Sequence, residues 1–370
     1  MRSAVSEPQA ATTAPERISD VNADAPRIGR ALLVASTGGH LEQITRLEPR
    51  FRPLFESVEF ATFDDPQSRS LLADRTVHMV ERVPPRGLKE AMKDLAPARR
   101  ILSERGIDIV ISTGSAIAVP FAVAARSLGV SMHYVESAAR ADGPSLTGKI
   151  LARAKLAHLY SQYRPWGTTG WTFRGNVFDG FRVSETQRTI GGIDRVVVTL
   201  GTMRGFPYRR AVTNVQRVLA ELGASNAEVL WQVGDTPVDD LGIVGHDMLP
   251  AREIGAAIAD ADLVFGHSGI GTCLQMLDAG HCPVILPRAH HLGEHIDDHQ
   301  WLIARELHDR NLSMSHDPDE VTAADVVTAM RRVVVKDERP RPFQLDIDVP
   351  QDEPVTPSNV AMTAGTTALR

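Results

Sequence analysis

Ala261-Asp262-Leu263-Val264-Phe265-Gly266-His267-Ser268-Gly269-Ile270-Gly271-Thr272 sets a short apolar strand against a small-residue turn, and an apolar helix over Cys273 to Ala279 follows at once. A turn that opens a helix presents unpaired backbone N–H groups at the positive end of the helix dipole, and both suit a phosphate. The glycines let backbone approach an anion closely, while His267, Ser268 and Thr272 carry side-chain donors. A dinucleotide fingerprint fits poorly. Leu274 stands where the third glycine of G-x-G-x-x-G belongs, no acidic residue ends a second strand at the usual distance, and the turn comes late in its half of the chain.

Working outward, the same strand–turn–helix order recurs through two halves. In the first, the strand Ala31 to Ala35 runs into the turn Ser36-Thr37-Gly38-Gly39-His40 and a helix from Leu41. Ile107 to Ile111, the turn Ser112 to Ser115 and an Ala-rich helix to Leu128 come later, then the strand Val130 to Val135, which ends at Glu136. The second half restarts with Arg195 to Leu200 and the turn Gly201-Thr202. Further strands are expected at Glu228 to Val233, Asp262 to Phe265 and Pro283 to Leu286. Near-continuous Val/Ile/Leu strands predict sheets covered on both faces, hence a parallel α/β fold. Two such halves leave a cleft between the C-terminal edges of their strands, where ligands of open α/β sheets bind. We expect folded domains over residues 28–185 and 186–335, with Arg182 to Ile193 as a linker. A leader (1–27) and a Pro- and Asp-rich tail (336–370) are expected to be disordered.

With 370 residues the chain is long enough for two cores, and its net charge of −6 excludes a nucleic-acid binder on electrostatic grounds. The two cysteines, Cys273 and Cys282, lie in apolar stretches and suggest neither disulfides nor zinc, as in a reducing cytoplasm. No run reaches the ~18 consecutive apolar residues of a membrane-spanning helix.

Four loops at expected C-terminal strand edges carry the chemistry. Gly201-Thr202 and His267 to Thr272 face the cleft from the second half. Asp298-His299-Gln300 opens a further helix, where Asp, His and Gln side chains can hold vicinal sugar hydroxyls; the same acids also suit plain N-capping. The neighbouring histidines (His290, His291, His295, His299) lack H-E-x-x-H spacing, so no metal is expected. In the first half, Gly38-Gly39-His40 sets a histidine at a helix start, suited to take a proton from a hydroxyl near neutral pH. Glu136 is either a capping carboxylate or a rival base. Arg140, Lys149 and Arg153, with Leu146, Ile150 and Leu151, suit a membrane surface or a diphosphate head group as well as an ordinary solvated helix face.

At these residues the chain resembles a known family over nearly all of its expected folded length. The first half, through Ser36-Thr37-Gly38-Gly39-His40, Ile111 to Ser115, Val135 to Arg140 and Pro144 to Lys149, is similar to the acceptor-binding subunit of two-component UDP-sugar transferases. These include the dolichol-diphosphate N-acetylglucosaminyltransferase and bacterial exopolysaccharide enzymes. The second half, through Val198 to Thr202, His267 to Thr272 and Asp298 to Gln300, is similar to their donor-binding subunit. Both halves also resemble the peptidoglycan lipid-intermediate N-acetylglucosaminyltransferase. The chain departs by fusing the two subunits and by lacking the N-terminal membrane helix of the eukaryotic acceptor subunit.

The resemblance implies a GT-B fold, two Rossmann-like parallel-sheet domains facing a central cleft. It also implies inverting, metal- and cofactor-independent transfer from a UDP-sugar to a polyprenyl-diphosphate-linked saccharide, by a cytoplasmic enzyme in peripheral contact with the inner face of the membrane. Gly201, Thr202, His267, Ser268, Gly269, Ile270, Gly271 and Thr272 would clamp the diphosphate, with His267 adding a donor. Gln232 would lie near the base, and Asp298, His299 and Gln300 would hold the sugar. Gly38, Gly39, Gly114, Ser115, Arg140 and Lys149 would receive the acceptor, with His40 as general base and Glu136 as its rival. Two alternatives remain open at this point: a UDP-sugar 2-epimerase of the same architecture, and a non-catalytic nucleotide-sugar-binding partner.

Overall fold

The computed structural model describes residues 27–83, 87–164 and 170–347. The N-terminal sheet comprises β1 (Ile28–Ala35), β2 (Phe55–Phe63), β3 (Val77–Val80), β4 (Ile109–Gly114), β5 (Ser131–Val135), β6 (His158–Ser161) and β7 (Trp171–Phe173), in the order β3-β2-β1-β4-β5-β6-β7. After β8 (Phe181–Val183), the C-terminal sheet comprises β9 (Arg195–Thr199), β10 (Glu228–Gln232), β11 (Gly245–His246), β12 (Leu263–Gly266), β13 (Val284–Ile285) and β14 (Met314–Ser315), in the order β11-β10-β9-β12-β13-β14. All pairings within these two sheets are parallel. A short antiparallel pair joins β8 to β15 (Val334–Lys336).

The helices of the first half are α1 (Gly39–Phe51), α2 (Pro66–Leu71), α3 (Leu88–Ala91), α4 (Leu95–Glu104), α5 (Ala118–Leu128) and α6 (Leu146–Ala154). Those of the second are α7 (Arg209–Glu221), α8 (Ala251–Asp260), α9 (Ile270–Asp278), α10 (His299–Asp309) and α11 (Ala323–Arg331). The expectation of sheets buried on both faces is borne out residue by residue. Leu32, Val34 and Val110 pack into one core and Ala31, Leu33 and Ile111 into another, on opposite sides of the same strands. Val196 and Val198 likewise part from Val197. The cluster that takes Val197 also takes Ala138, Tyr163 and Phe178, so one hydrophobic core crosses the junction between the halves.

Strand order reverses at β1/β4 in the first sheet and at β9/β12 in the second, and such reversals open crevices at the C-terminal strand ends. The four strands flanking these reversals carry the loops at His40, Gly114, Gly201 and His267.

The disordered tail expected from residue 336 is corrected over residues 336–347. Lys336 pairs with Phe181, and the chain then runs back to the N-terminal domain. There Phe343 is fully buried, edge-on to Phe51 (6.3 Å) and Tyr160 (5.7 Å). The Asp346 N–H donates to the Tyr160 hydroxyl at 2.7 Å. One aromatic anchor on a polar strand-like segment is too weak a signal to read from composition. The remaining tail and the expected leader up to residue 26 lie outside the described residues.

Candidate active site

The first half-site forms where β1 and β4 diverge. Ser36 N–H donates to the Gly114 carbonyl at 3.2 Å, tying the two loops together. His40, half-buried in the first turn of α1, has Nδ1 2.6 Å from the Thr113 carbonyl oxygen. A carbonyl only accepts, so the proton sits on Nδ1 and Nε2 keeps its lone pair. Burial lowers the His40 pKa below its ordinary 6.5, against the raising effects of the Thr113 carbonyl and the Glu136 charge. The ring is therefore a neutral base at pH 7. Gly114 has φ +102°, and a Cβ there would stand 3.0 Å from His40 Cε1 and 3.1 Å from the Tyr134 hydroxyl. Only glycine leaves room for the histidine.

Glu136 is fully buried, and four donors occupy its carboxylate. Oε1 accepts from Tyr134 OH (3.2 Å) and Ser137 N–H (3.1 Å), and Oε2 from Ser145 N–H (2.9 Å) and Oγ (2.8 Å). Ser145 in turn caps α6 through Gly148 N–H. Of its two readings, the capping one fits: Glu136 locks α6 to the end of β5, and its oxygens are closed to an incoming hydroxyl. Gly38 and Gly39 are exposed at the mouth of α1, and Ser115 is half-buried at the start of the β4–α5 turn. Lys149 and Arg153 share the exposed side of α6 with Leu146. Arg140 has a buried Nε without a hydrogen-bond partner, and its charge reaches His299 across the cleft.

The second half-site is a cavity of ≈ 320 Å³ at the β9/β12 reversal. Gly201, Thr202, Ser268, Gly269, Ile270, His299 and Gln300 line it, and Ala139 closes it from the first domain. α9 starts without a side-chain cap, and its first intrahelical bond runs from Cys273 N–H to Gly269 O, so the N–H groups of Ile270, Gly271 and Thr272 have no helical partner. The Ser268 hydroxyl is completely buried and also unpartnered. A buried polar group without a partner is costly and calls for a ligand. Gly271 and Thr272 lie one step outside the cavity lining, Gly271 with open space around it.

Three of the expected donor-site residues have partners within the protein. His267 also lines the cavity; burial, then the nearby Arg288 charge, push its pKa down to about 4, so the ring is neutral and has one N–H to donate. Its Nδ1 faces the Thr199 carbonyl at 3.4 Å, and Nε2 sits close against Gly201 and Gly269. Gln232 lies outside the cavity lining. Its Nε2 donates to Thr199 Oγ1 (3.0 Å) and its Oε1 accepts from Leu249 N–H (2.9 Å), so it fixes the loop before α8. Asp298 accepts the His290 N–H on Oδ1 at 2.9 Å and lies outside the cavity lining. Asp297 contacts both His295 and His299.

The sequence reading missed Arg288. It is 2% exposed and lines the cavity beneath the Leu200–Gly201 turn. A cation ending the apolar strand Pro283 to Leu286, on the same edge as every other site loop, was the available signal. A larger cavity of ≈ 990 Å³ lies at the domain junction, away from both half-sites. There Arg50 and Arg310 share Asp179, and Arg310 also pairs with Glu306. The Arg310–Asp179 pair ties the halves together there.

Residues 195–345 match the glycosyltransferase family 28 C-terminal domain. Over 298 residues the chain is 26% identical to the UDP-N-acetylglucosamine--N-acetylmuramyl-(pentapeptide) pyrophosphoryl-undecaprenol N-acetylglucosamine transferase of Chlorobium luteolum, covering 70% of this chain and 78% of that protein. It is 28% identical to the transferase of the same name from Corynebacterium efficiens over 209 residues, 55% of this chain and 57% of the relative. Among solved structures, the glycotransferase of kitacinnamycin shares the fold, with a TM-score of 0.51 and 16% identity over 82% of this chain and 90% of the other. Two parallel-sheet domains facing a cleft give the chain the GT-B fold, and the domain match over residues 195–345 together with its relatives makes it a UDP-sugar glycosyltransferase.

Proposed function

We propose that the protein transfers a sugar from a UDP-sugar to a hydroxyl of a saccharide carried on a polyprenyl diphosphate, with inversion and without a metal. The observation that carries this reading is the pairing of two half-sites across one cleft: a neutral His40 with a free Nε2, and an uncapped α9 beside the buried, unpartnered Ser268. The names of the relatives support the donor and acceptor classes. The diphosphate would lie on the N–H groups of α9 and Gly201, with the sugar beside His299 and Gln300. Gln300 accepts from Arg288 N–H through Oε1 (3.1 Å), and its amide N–H₂ remains for a hydroxyl.

The acceptor hydroxyl attacks the anomeric carbon and gives its proton to His40 Nε2. As the bond from that carbon to the β-phosphate oxygen breaks, the electron pair leaves with UDP. Preorganised N–H groups stabilise the leaving charge in place of a cation. The exposed Leu146, Lys149 and Arg153 of α6 offer an apolar and basic edge to the inner membrane face, and Arg140 a charge to the acceptor diphosphate. No helix among the described residues is long and apolar enough to cross a membrane. In this reading the chain joins the acceptor and donor subunits of two-component transferases.

Incubating a panel of labelled UDP-sugars with the protein and a bacterial lipid extract tests it. Label entering lipid is the expected result. Donor epimerisation without lipid would favour the 2-epimerase, and UDP binding without turnover the non-catalytic partner.

A further inference from the structure

Among the described residues Arg288 is the largest side chain to be essentially fully buried, and none of their carboxylates lies within ion-pair distance of it. Its Nε and Nη2 both donate to the Leu200 carbonyl, at 3.3 and 2.7 Å. Nη1 donates to the carbonyls of Phe206 and, at 3.0 Å, Glu294. The guanidinium stacks on Tyr208, 4.7 Å from the ring centroid. Two acids act on its charge from farther off, Glu294 and Asp235, and both are engaged elsewhere: Arg210 grips both Glu294 oxygens at 3.0 and 3.1 Å, and Asp235 accepts from the Gly205 N–H. Carbonyl oxygens satisfy N–H groups but do not cancel a net charge, and a buried charge without a counter-charge is costly. Of the five guanidinium N–H groups, four are used, leaving one.

Two consequences follow for the cavity that Arg288 lines. In a trans peptide the C=O and the next N–H point in opposite directions. Holding the Leu200 carbonyl with two donors therefore sets the Gly201 N–H facing away from the guanidinium, and that N–H has no hydrogen-bond partner among the described residues. The positive charge, offset only from a distance, also lies under the same turn as the uncapped start of α9.

We propose that Arg288 is the positioning residue of the diphosphate site: it aims the Gly201 N–H and supplies the resident positive charge that the leaving diphosphate completes. This rests on the reading of the cavity as a UDP-sugar site. The residue acts beneath the turn and is not itself a proton donor or acceptor in the transfer.

The test is titration calorimetry of UDP and uridine with the wild-type protein, Arg288→Met and Arg288→Lys, with thermal unfolding as the fold control. Arg288→Met is expected to weaken UDP binding at least 30-fold while uridine changes less than threefold. Arg288→Lys keeps the charge and loses the fork, so UDP weakens three- to tenfold. Equal loss of UDP and uridine in a folded Arg288→Met protein overturns the proposal and makes the residue a plain structural support. If Arg288→Met does not fold, an unchanged ratio of UDP to uridine affinity in Arg288→Lys overturns it and a lowered ratio supports it. A wild-type protein that binds neither ligand overturns the donor site itself, and Arg288 with it.

Discussion

Substituting Gly114 by alanine perturbs the base without touching the donor cavity. The native φ of +102° is open to glycine and strained for alanine, at a cost of about 1–2 kcal/mol. The new Cβ would meet His40 Cε1 at 3.0 Å and Nδ1 at 3.1 Å, closer than carbon atoms ordinarily pack, with Tyr134 OH at 3.1 Å behind it. Tyr134 is fixed by Glu136, so the imidazole has to yield, stretching its 2.6 Å bond to the Thr113 carbonyl. A weakened hydrogen bond adds about 0.5–1.5 kcal/mol. The total, about 1.5–3.5 kcal/mol, leaves a protein of ordinary stability folded. It lowers Tm by roughly 3–14 °C for a domain of this size. Displacing a base by up to 1 Å costs on the order of 10²-fold in turnover. Radiolabel transfer to lipid, UDP calorimetry and thermal unfolding together read the result: kcat down ~10²-fold, UDP Kd within threefold. Normal kcat in the destabilised protein would refute His40 as the base. A matching loss of UDP binding would refute the separation of the two half-sites.

Further predictions bear on the same geometry. His40→Ala should lose roughly 10²–10⁴-fold in turnover at unchanged UDP affinity; unchanged turnover removes His40 from the mechanism. Because the deprotonated ring is the active form and burial lowers its pKa, kcat should rise with pH through an inflection below 6.5 and be flat at neutrality; an inflection above 7 contradicts the assignment. Gly271→Val adds its side chain where nothing lies within 4 Å, so Tm should hold while calorimetry shows UDP binding abolished; a normal titration sinks the phosphate site. Asp179, buried but held ionised by Arg310 and Arg50, keeps its pKa below the usual carboxylate range. Its contribution is complete above the unfolded pKa near 4 and is lost as pH falls through the folded value. Asp179→Asn should cost about 3–5 kcal/mol by leaving the buried Arg50 without a carboxylate, and denaturation with an unchanged midpoint would contradict the junction network.

How much of this was legible in the sequence depends on the range of the interaction. Strands buried on both faces announce themselves, because every residue from Ala31 to Ala35 or Val196 to Leu200 must be apolar or small. Turns entering helices are equally local, so Gly38 to His40, Gly201-Thr202 and His267 to Gly269 were placed at the cleft from sequence. The edge strands β3, β7, β11 and β14 are short, and what makes them strands is their neighbour in the sheet.

Side-chain roles were a different matter, because each depends on what lies opposite. Nothing within a few residues of Glu136 shows that Ser145 will fill one of its oxygens, or that Thr199 and Leu249 will engage both ends of the Gln232 amide. His267 sits where a donor is wanted, and burial and a cation from another loop keep it neutral. Residue type and spacing alone determined the two-domain parallel architecture and the positions of the cleft loops, since backbone hydrogen bonding and periodic burial are local demands. Tertiary structure alone decided which polar groups remain free for a substrate, because a hydrogen bond or charge used within the protein is no longer offered to the cleft.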